Sequence, residues 1–348
     1  MLFRATRIYR HLLLLCSLLI VSSSALATDF SKVYAKVKDS VVTIKTNKYV
    51  EKETEEGVVS SQLGGIGSGV ILDKDGLILT AAHVVHIADR IEVNTNDGKT
   101  HHATVISSIP FADLALVKMT EPPKNLPTVK TGDSDKMRIG QEVFVVGAPY
   151  GLSQTLTVGH FSGRRHSDNE NGLIDTEFLQ TDAPINKGNS GGPMFNTKGE
   201  VIGIVSHIRS SSGGSEGLGF AASINMARDL FLDHEHVWAG MELVPMSPMM
   251  ARAINAPYPD AILVQQVAYG SLADKLGIQP GRIPAIINGR KMLLGGDVII
   301  AFGDHPIKLS KESLVTAREY MGGVAVGEPI EMTVFRDGEQ IKLSIIKE

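Results

Sequence analysis

Between Ser40 and Phe220 the chain is broken into short runs rich in β-branched and apolar residues: Val41-Val42-Thr43-Ile44, Gly69-Val70-Ile71-Leu72, Leu77-Ile78-Leu79-Thr80, Ile91-Glu92-Val93, Ala103-Thr104-Val105-Ile106, Leu114-Ala115-Leu116-Val117, Val143-Phe144-Val145-Val146, Thr155-Leu156-Thr157-Val158 and Val201-Ile202-Gly203-Ile204-Val205. Gly, Asp and Pro separate them. Runs of this length and spacing form antiparallel barrels or sandwiches. Asp73-Lys74-Asp75-Gly76 and Asn196-Thr197-Lys198-Gly199 read as hairpin turns between strands.

The flanks of this region differ in pattern. Phe30 to Lys38 puts Phe30, Val33, Tyr34 and Val37 on one face of a short helix, and Ser223 to His234 returns to helical spacing to close a first domain. Residues 48–63 are polar, include Glu51-Lys52-Glu53-Thr54-Glu55-Glu56 and lack periodicity, which predicts a solvated loop. After His236 a second β-rich unit begins, with strands at Ile262-Leu263-Val264, Val298 to Ala301, Ile330 to Val334 and Ile341 to Ile345, and helices near Ser271 to Leu276 and Ser310 to Met321. Two domains suit the 348 residues.

The N-terminus is a separate matter. Arg4, Arg7 and Arg10 precede the apolar run Leu12 to Val21, and Ala25-Leu26-Ala27 ends in an Ala-x-Ala site, the pattern of a secretory signal peptide over residues 1–27. The alternative is an uncleaved anchor. Cys16, the single cysteine, lies inside this run, so the mature chain has no disulfide to rely on. Losing Arg4, Arg7 and Arg10 with no acid takes the 34 basic residues to 31 against 38 acidic ones, a net charge of −7, and no basic patch for nucleic acid is implied.

One stretch carries chemistry. In Asp182-Ala183-Pro184-Ile185-Asn186-Lys187-Gly188-Asn189-Ser190-Gly191-Gly192-Pro193 the glycines can hold Ser190 on a tight exposed turn and leave the N–H groups of Gly188 and Ser190 open to an oxyanion. Alone, this is equally a surface turn. A serine nucleophile needs a histidine base held by a carboxylate. His83, in Thr80-Ala81-Ala82-His83-Val84-Val85, directly follows a strand, and Asp113 stands at the entrance of the apolar strand Leu114 to Val117, where an acid is costly unless paired. The chain order is His83, Asp113, Ser190. That is the chymotrypsin order, and it falls on a β-rich background. His101-His102 and His234-Glu235-His236 assemble no metal site with any partner in the sequence.

These segments, with Leu179-Gln180-Thr181-Asp182-Ala183 and Gly219-Phe220-Ala221, resemble the HtrA (Deg) family of chymotrypsin-fold serine proteases. The resemblance spans residues 30–235 and implies a mostly β fold of two six-stranded antiparallel trypsin-like barrels over residues 28–236. Residues 237–348 resemble the peptide-binding PDZ domain of the family, in a single copy. It further implies His83 as general base then acid, Asp113 as orienting acid, Ser190 as nucleophile, and the Gly188 and Ser190 N–H groups as oxyanion hole. Pro184 stands where trypsin-like enzymes keep a basic-selective aspartate, so Pro184 and Ile185 imply cleavage after small or medium apolar residues.

The same resemblance makes Gly159 to Gly172 a sensor loop, with Arg164 and Arg165 as relay candidates, Asn186 to Gly191 the oxyanion loop, and Arg209 to Gly217 the border of the specificity pocket. Trp238, Ala239, Gly240 and Met241 are similar to the loop that binds a peptide carboxylate. Residues 282–295 are an added segment, read as a hairpin turned by Asn288-Gly289. The expected protein is an exported, ATP-independent endopeptidase of protein quality control, periplasmic in a Gram-negative cell and without a cofactor. Its expected partners are misfolded proteins and C-terminal peptides, and its expected assembly is a homotrimer formed through Phe30 and Tyr34. The alternative is a peptide-binding chaperone or scaffold with little proteolysis.

Overall fold

A computed structural model of the chain describes residues 28–54, 57–167, 176–231, 238–287 and 289–347. The predicted signal peptide, the pair His234 and His236, and the Asn288 turn position lie outside the described residues. The chain divides into two compact units, Met1–Lys32 and Val33–Glu348. Helix α1 spans Ser31–Val37.

Six strands follow α1: β1 (Val41–Thr54), β2 (Gly57–Ile71), β3 (Leu77–Thr80), β4 (Arg90–Asn94), β5 (Thr100–Ile109) and β6 (Leu114–Met119). They close into an antiparallel barrel in the order β1-β2-β3-β6-β5-β4. Alternation points Ile44, Ile71, Ile78, Val93 and Val117 inward, and all of them are fully buried. Each such side chain contributes about 1.5–3 kcal/mol by leaving water.

The second barrel repeats the plan with β7 (Glu142–Gly147), β8 (Thr155–Ser167), β9 (Thr176–Thr181), β10 (Pro193–Asn196), β11 (Val201–Ile208) and β12 (Gly219–Ser223), in the order β10-β11-β12-β9-β8-β7. Phe144 and Phe195 face each other across the β7–β10 ladder and stack with ring centroids 5.0 Å apart. Helix α3 (Ile224–Phe231) follows; the four-residue helix α2 (Ala82–Val85) lies between β3 and β4.

The C-terminal part is a sheet of β13 (Met241–Pro245), β14 (Ile262–Val267), β17 (Val298–Phe302), β19 (Pro329–Arg336) and β20 (Glu339–Ile346), with β18 (His305–Pro306) on β17. Helices α4 (Pro248–Ala253), α5 (Leu272–Leu276) and α6 (Lys311–Gly323) accompany it; Ser271 and Ser310 cap the last two. Residues 282–295 do form a hairpin, β15 (Ile283–Ile287) with β16 (Arg290–Leu294). Asp297, fully buried, is gripped at both oxygens by Arg336, each contact 2.6 Å.

Two expectations are corrected. Residues 48–54 and 57–63 are not a loop: β1 and β2 continue their register through Lys48↔Leu63 and Tyr49↔Gln62 to Thr54↔Gly57, and Glu55 and Glu56 lie outside the described residues. A ladder satisfies backbone groups whatever the side chains, so polar composition did not prevent a strand. Likewise Gly159 to Ser167, the first part of the segment expected as a sensor loop, belongs to β8, paired with β9 from Phe161↔Thr181 to Ser167↔Thr176, and residues 168–172 lie outside the described residues.

Candidate active site

His83 owes its position to α2. Ala81, Ala82, Val84 and Val85 are buried in the first barrel, so the short helix turns only His83 outward, with its side chain half exposed. Asp113 ends the 3-10 turn Pro110–Ala112 in a left-handed conformation, φ 51°, which Asp tolerates better than most residues. This aims the carboxylate back at α2. Nδ1 of His83 lies 2.8 Å from Oδ1 and 2.9 Å from Oδ2, and the His83 backbone N–H donates to Oδ1 at 3.0 Å.

Asp113 has a further partner. Ser206 Oγ, on β11, donates to Oδ2 at 2.5 Å. Burial pushes the Asp113 carboxyl up, but the hydrogen bonds from His83 and Ser206, with the adjacent imidazole, outweigh it and hold the group below the ordinary carboxylate range. An ionised Asp113 therefore fixes the tautomer of His83 with Nδ1 protonated and Nε2 free to act as base.

The Ser190 turn sits between the barrels and is tied to both. Ser68 N–H donates to the Ser190 carbonyl at 2.8 Å, and Gly191 N–H to the Val205 carbonyl at 2.7 Å. Gly188 has φ +105° and Gly191 φ +81°. A Cβ at Gly188 would collide with the Ala148 carbonyl, and one at Gly191 with Thr80 and the Ser68 carbonyl, so both positions require glycine for room as well as conformation. Ser68, buried, joins the pieces: its Oγ donates to the Gly188 carbonyl at 2.8 Å and accepts from the Ala148 N–H at 3.0 Å.

The Ser190 hydroxyl donates to the Ser206 carbonyl at 3.3 Å. No hydrogen bond joins it to His83 among the described residues. The fold thus brings His83, Asp113 and the Ser190 turn together, with Ser190 turned toward β11.

Pro184 is exposed, whereas Ile185 is buried in the second barrel beside Gly219. The segment after β11 is linked to this floor, since Ser215 N–H donates to Asn186 Oδ1 at 3.2 Å. Seryl groups of Ser212 and Ser211 and their backbone N–H groups hold Glu216 in that segment, with its carboxyl down at about 2.

Arg164 and Arg165 have different surroundings. Arg164 donates to Glu177 at 2.6 Å and to the Ser134 carbonyl, with its guanidinium 5.5 Å over the Phe161 ring; Arg165 is exposed and reaches only the Arg164 carbonyl among these groups. The segment Trp238 to Met241 lies where the C-terminal sheet meets the first barrel. Trp238 packs against that barrel's core and donates Nε1–H to the His86 carbonyl at 3.2 Å, while His86 Nε2 donates to the Met241 carbonyl at 2.7 Å. Ala239 and Gly240 offer their carbonyls to Ala273 and Ala268 N–H. Sequence reasoning missed Ser68, Ser206 and His86; Ser68 stands beside glycines in Gly67-Ser68-Gly69, which was the one available signal. Among the described residues no cluster of His, Cys, Asp or Glu is placed to hold a metal, and no helix is long and apolar enough to cross a membrane.

Comparison with known proteins agrees with this geometry. A family model described as a trypsin-like peptidase domain matches residues 67–204. A probable periplasmic serine endoprotease DegP-like of Ectopseudomonas mendocina is 35% identical over 286 residues, covering 80% of this chain and 56% of that protein. A relative of the same description from Halomonas elongata is 30% identical, covering 98% of this chain and 76% of its own length. The chain spans about half the length of several of the curated relatives it matches. Among solved structures, an HtrA-type protease, AlgW with decapeptide, aligns with a TM-score of 0.52 and 29% identity, over 92% of this chain and 98% of that one. With its two closed barrels, the chain belongs to the HtrA (DegP-like) family of trypsin-like serine proteases.

Proposed function

We propose that the protein is an exported, ATP-independent serine endopeptidase of protein quality control, with His83, Asp113 and Ser190 as its triad. The observation that carries this reading is the Asp113 carboxylate held ionised against Nδ1 of a half-exposed His83 at 2.8 Å. The Ser190 hydroxyl turns from the Ser206 carbonyl to His83 Nε2 and loses its proton there as Oγ attacks the scissile carbonyl. The N–H groups of Gly188 and Ser190 take the oxyanion. His83 Nε2 then gives the proton to the departing amine, and water repeats the cycle on the acyl-enzyme.

Pro184 and Ile185 present no carboxylate to a basic side chain, which supports cleavage after small or medium apolar residues. Residues 237–348 are read as a PDZ domain that recognises C-terminal peptides. In support, among the described residues β13 pairs only with β14, so a peptide strand has an edge to join, and Trp238 to Met241 leads directly into it. Residues 1–27 are read as a cleaved signal peptide for export to the periplasm, a location named for the DegP-like relatives. The assembly is a homotrimer involving Phe30 and Tyr34, and Arg164 or Arg165 relays peptide occupancy to the oxyanion loop.

Casein digestion by the mature chain beside Ser190→Ala tests the reading, with cut sites mapped by mass spectrometry. Cuts after Val, Ala, Leu or Ile that vanish in Ser190→Ala support it. Cuts dominated by Arg or Lys overturn the specificity, and no cutting with or without added C-terminal peptides favours the chaperone or scaffold. Normal peptide activation in an Arg164→Ala, Arg165→Ala double variant removes the relay.

A further inference from the structure

The residue after Ser206 is a second histidine at the site, and the three residues of the triad leave it without a role. His207 Nδ1 lies 3.0 Å from Ser206 Oγ, the same oxygen that donates to Asp113 Oδ2 at 2.5 Å. A hydroxyl has one proton, and an ionised carboxylate can only accept. The Ser206 proton therefore points at Asp113, and His207 must be the donor to Ser206.

The ring is held for this task. It stacks on Phe220 at 4.9 Å and 15° and meets Phe178 edge-on at 5.2 Å, two aromatic rings from the neighbouring strands β12 and β9. We propose that His207 is a positioning residue: its Nδ1–H, given to Ser206 Oγ, commits the Ser206 proton to Asp113 and keeps the carboxylate set against His83. The relay runs His207 to Ser206 to Asp113, and His83 donates to the same carboxylate from the other side.

The charged groups acting on His207 are Asp113, His83 and Arg209. His207 is exposed at one side, but the part of its imidazole covered by the two rings is desolvated, which pushes it below the ordinary histidine range; Asp113 opposes this, and His83 and Arg209 add to it. At neutral pH His207 thus acts as a donor and not as a charge. A donor into Ser206 makes the Ser206 O–H a stronger donor in turn. Without it Asp113 is less stabilised and holds the imidazolium proton of His83 more tightly, and a base that must be neutral is then lost at higher pH.

The proposal rests on the protease reading, and the test separates the two. Cleavage of a peptide substrate by the full mature chain is followed across pH for wild type, His207→Phe and His207→Asn. Phe keeps the aromatic packing without the donor, and Asn places an amide N–H near the Nδ1 position. We expect His207→Phe to lower kcat about three- to tenfold, with KM less affected, and to move the acid limb of kcat/KM to higher pH. His207→Asn recovers most of both effects. Should His207→Phe fail to fold, His207→Gln, whose amide lies beyond the Nδ1 position, takes its place with the same expectation. Unchanged kcat and acid limb in the donor-less variant, or an Asn variant as impaired as it, overturns the proposal. A wild type with no Ser190-dependent cleavage contradicts the protease reading instead.

Discussion

His83 and Asp113 are joined through two groups of the histidine: the imidazole Nδ1 lies 2.8 Å from Oδ1 and 2.9 Å from Oδ2, and the His83 backbone N–H donates to Oδ1 at 3.0 Å. One contact sets the tautomer and the other sets the position of α2 relative to the carboxylate. Asp113→Asn keeps the shape but replaces an acceptor-only group by one that can donate, so His83 presents the wrong nitrogen protonated. The expected loss in kcat is roughly 10³- to 10⁴-fold with little change in thermal stability, read from steady-state kinetics and a melting curve. Activity within tenfold of wild type would contradict the role of Asp113.

Ser68 holds the Gly188 segment, the proposed oxyanion hole, from behind. Ser68→Ala leaves the Gly188 carbonyl and Ala148 N–H without their 2.8 and 3.0 Å partners. A buried group left unpaired costs about 1–3 kcal/mol. We expect a lower Tm and a kcat reduced about tenfold, the equivalent of roughly 1.4 kcal/mol in the barrier. A variant with the wild-type Tm and unchanged kcat would show that Gly188 needs no such support.

His86 makes the junction of the first barrel and the C-terminal sheet sensitive to pH. Burial lowers its pKa, the Met241 carbonyl opposes this, and Lys48 adds to it. With Nε2–H given to Met241, neutral His86 accepts from Ser108 at Nδ1, 2.8 Å away. Because the folded pKa lies below the unfolded value, about 6.5, the stability it contributes is complete above that pH and is lost as pH falls through the folded value. Tm should therefore fall more steeply below about pH 6.5 in wild type than in His86→Gln, which keeps a donor for Met241 but does not titrate. Parallel Tm profiles would rule this out.

The sequence made the proposed triad legible because each member sits in a local context with its own signal: a histidine after a strand, an acid before an apolar strand, a serine among glycines. Ser206 and His207 gave no such signal. Their roles come from β11 passing Asp113, a contact between residues 93 apart in the chain for Ser206. The barrel strands with β-branched runs were readable, whereas β10 and β12 were not, since Pro193-Met194-Phe195-Asn196 and Gly219-Phe220-Ala221-Ala222-Ser223 carry weak strand propensity and are strands because barrel neighbours pair with them. The strand pairing of 48–54 with 57–63 was hidden because a ladder is made by backbone groups, of which a polar composition gives no sign.

In the proposed mechanism everything turns on Ser190 being a nucleophile activated by His83. The direct measurement of this is reaction of the native mature chain with a labelled fluorophosphonate, followed by mass mapping of the modified residue. Modification of Ser190 that is abolished in His83→Ala, and strengthened by an activating C-terminal peptide as Ser190 leaves the Ser206 carbonyl, is the predicted result. Native protein whose Ser190 stays unmodified with and without such peptides would contradict it.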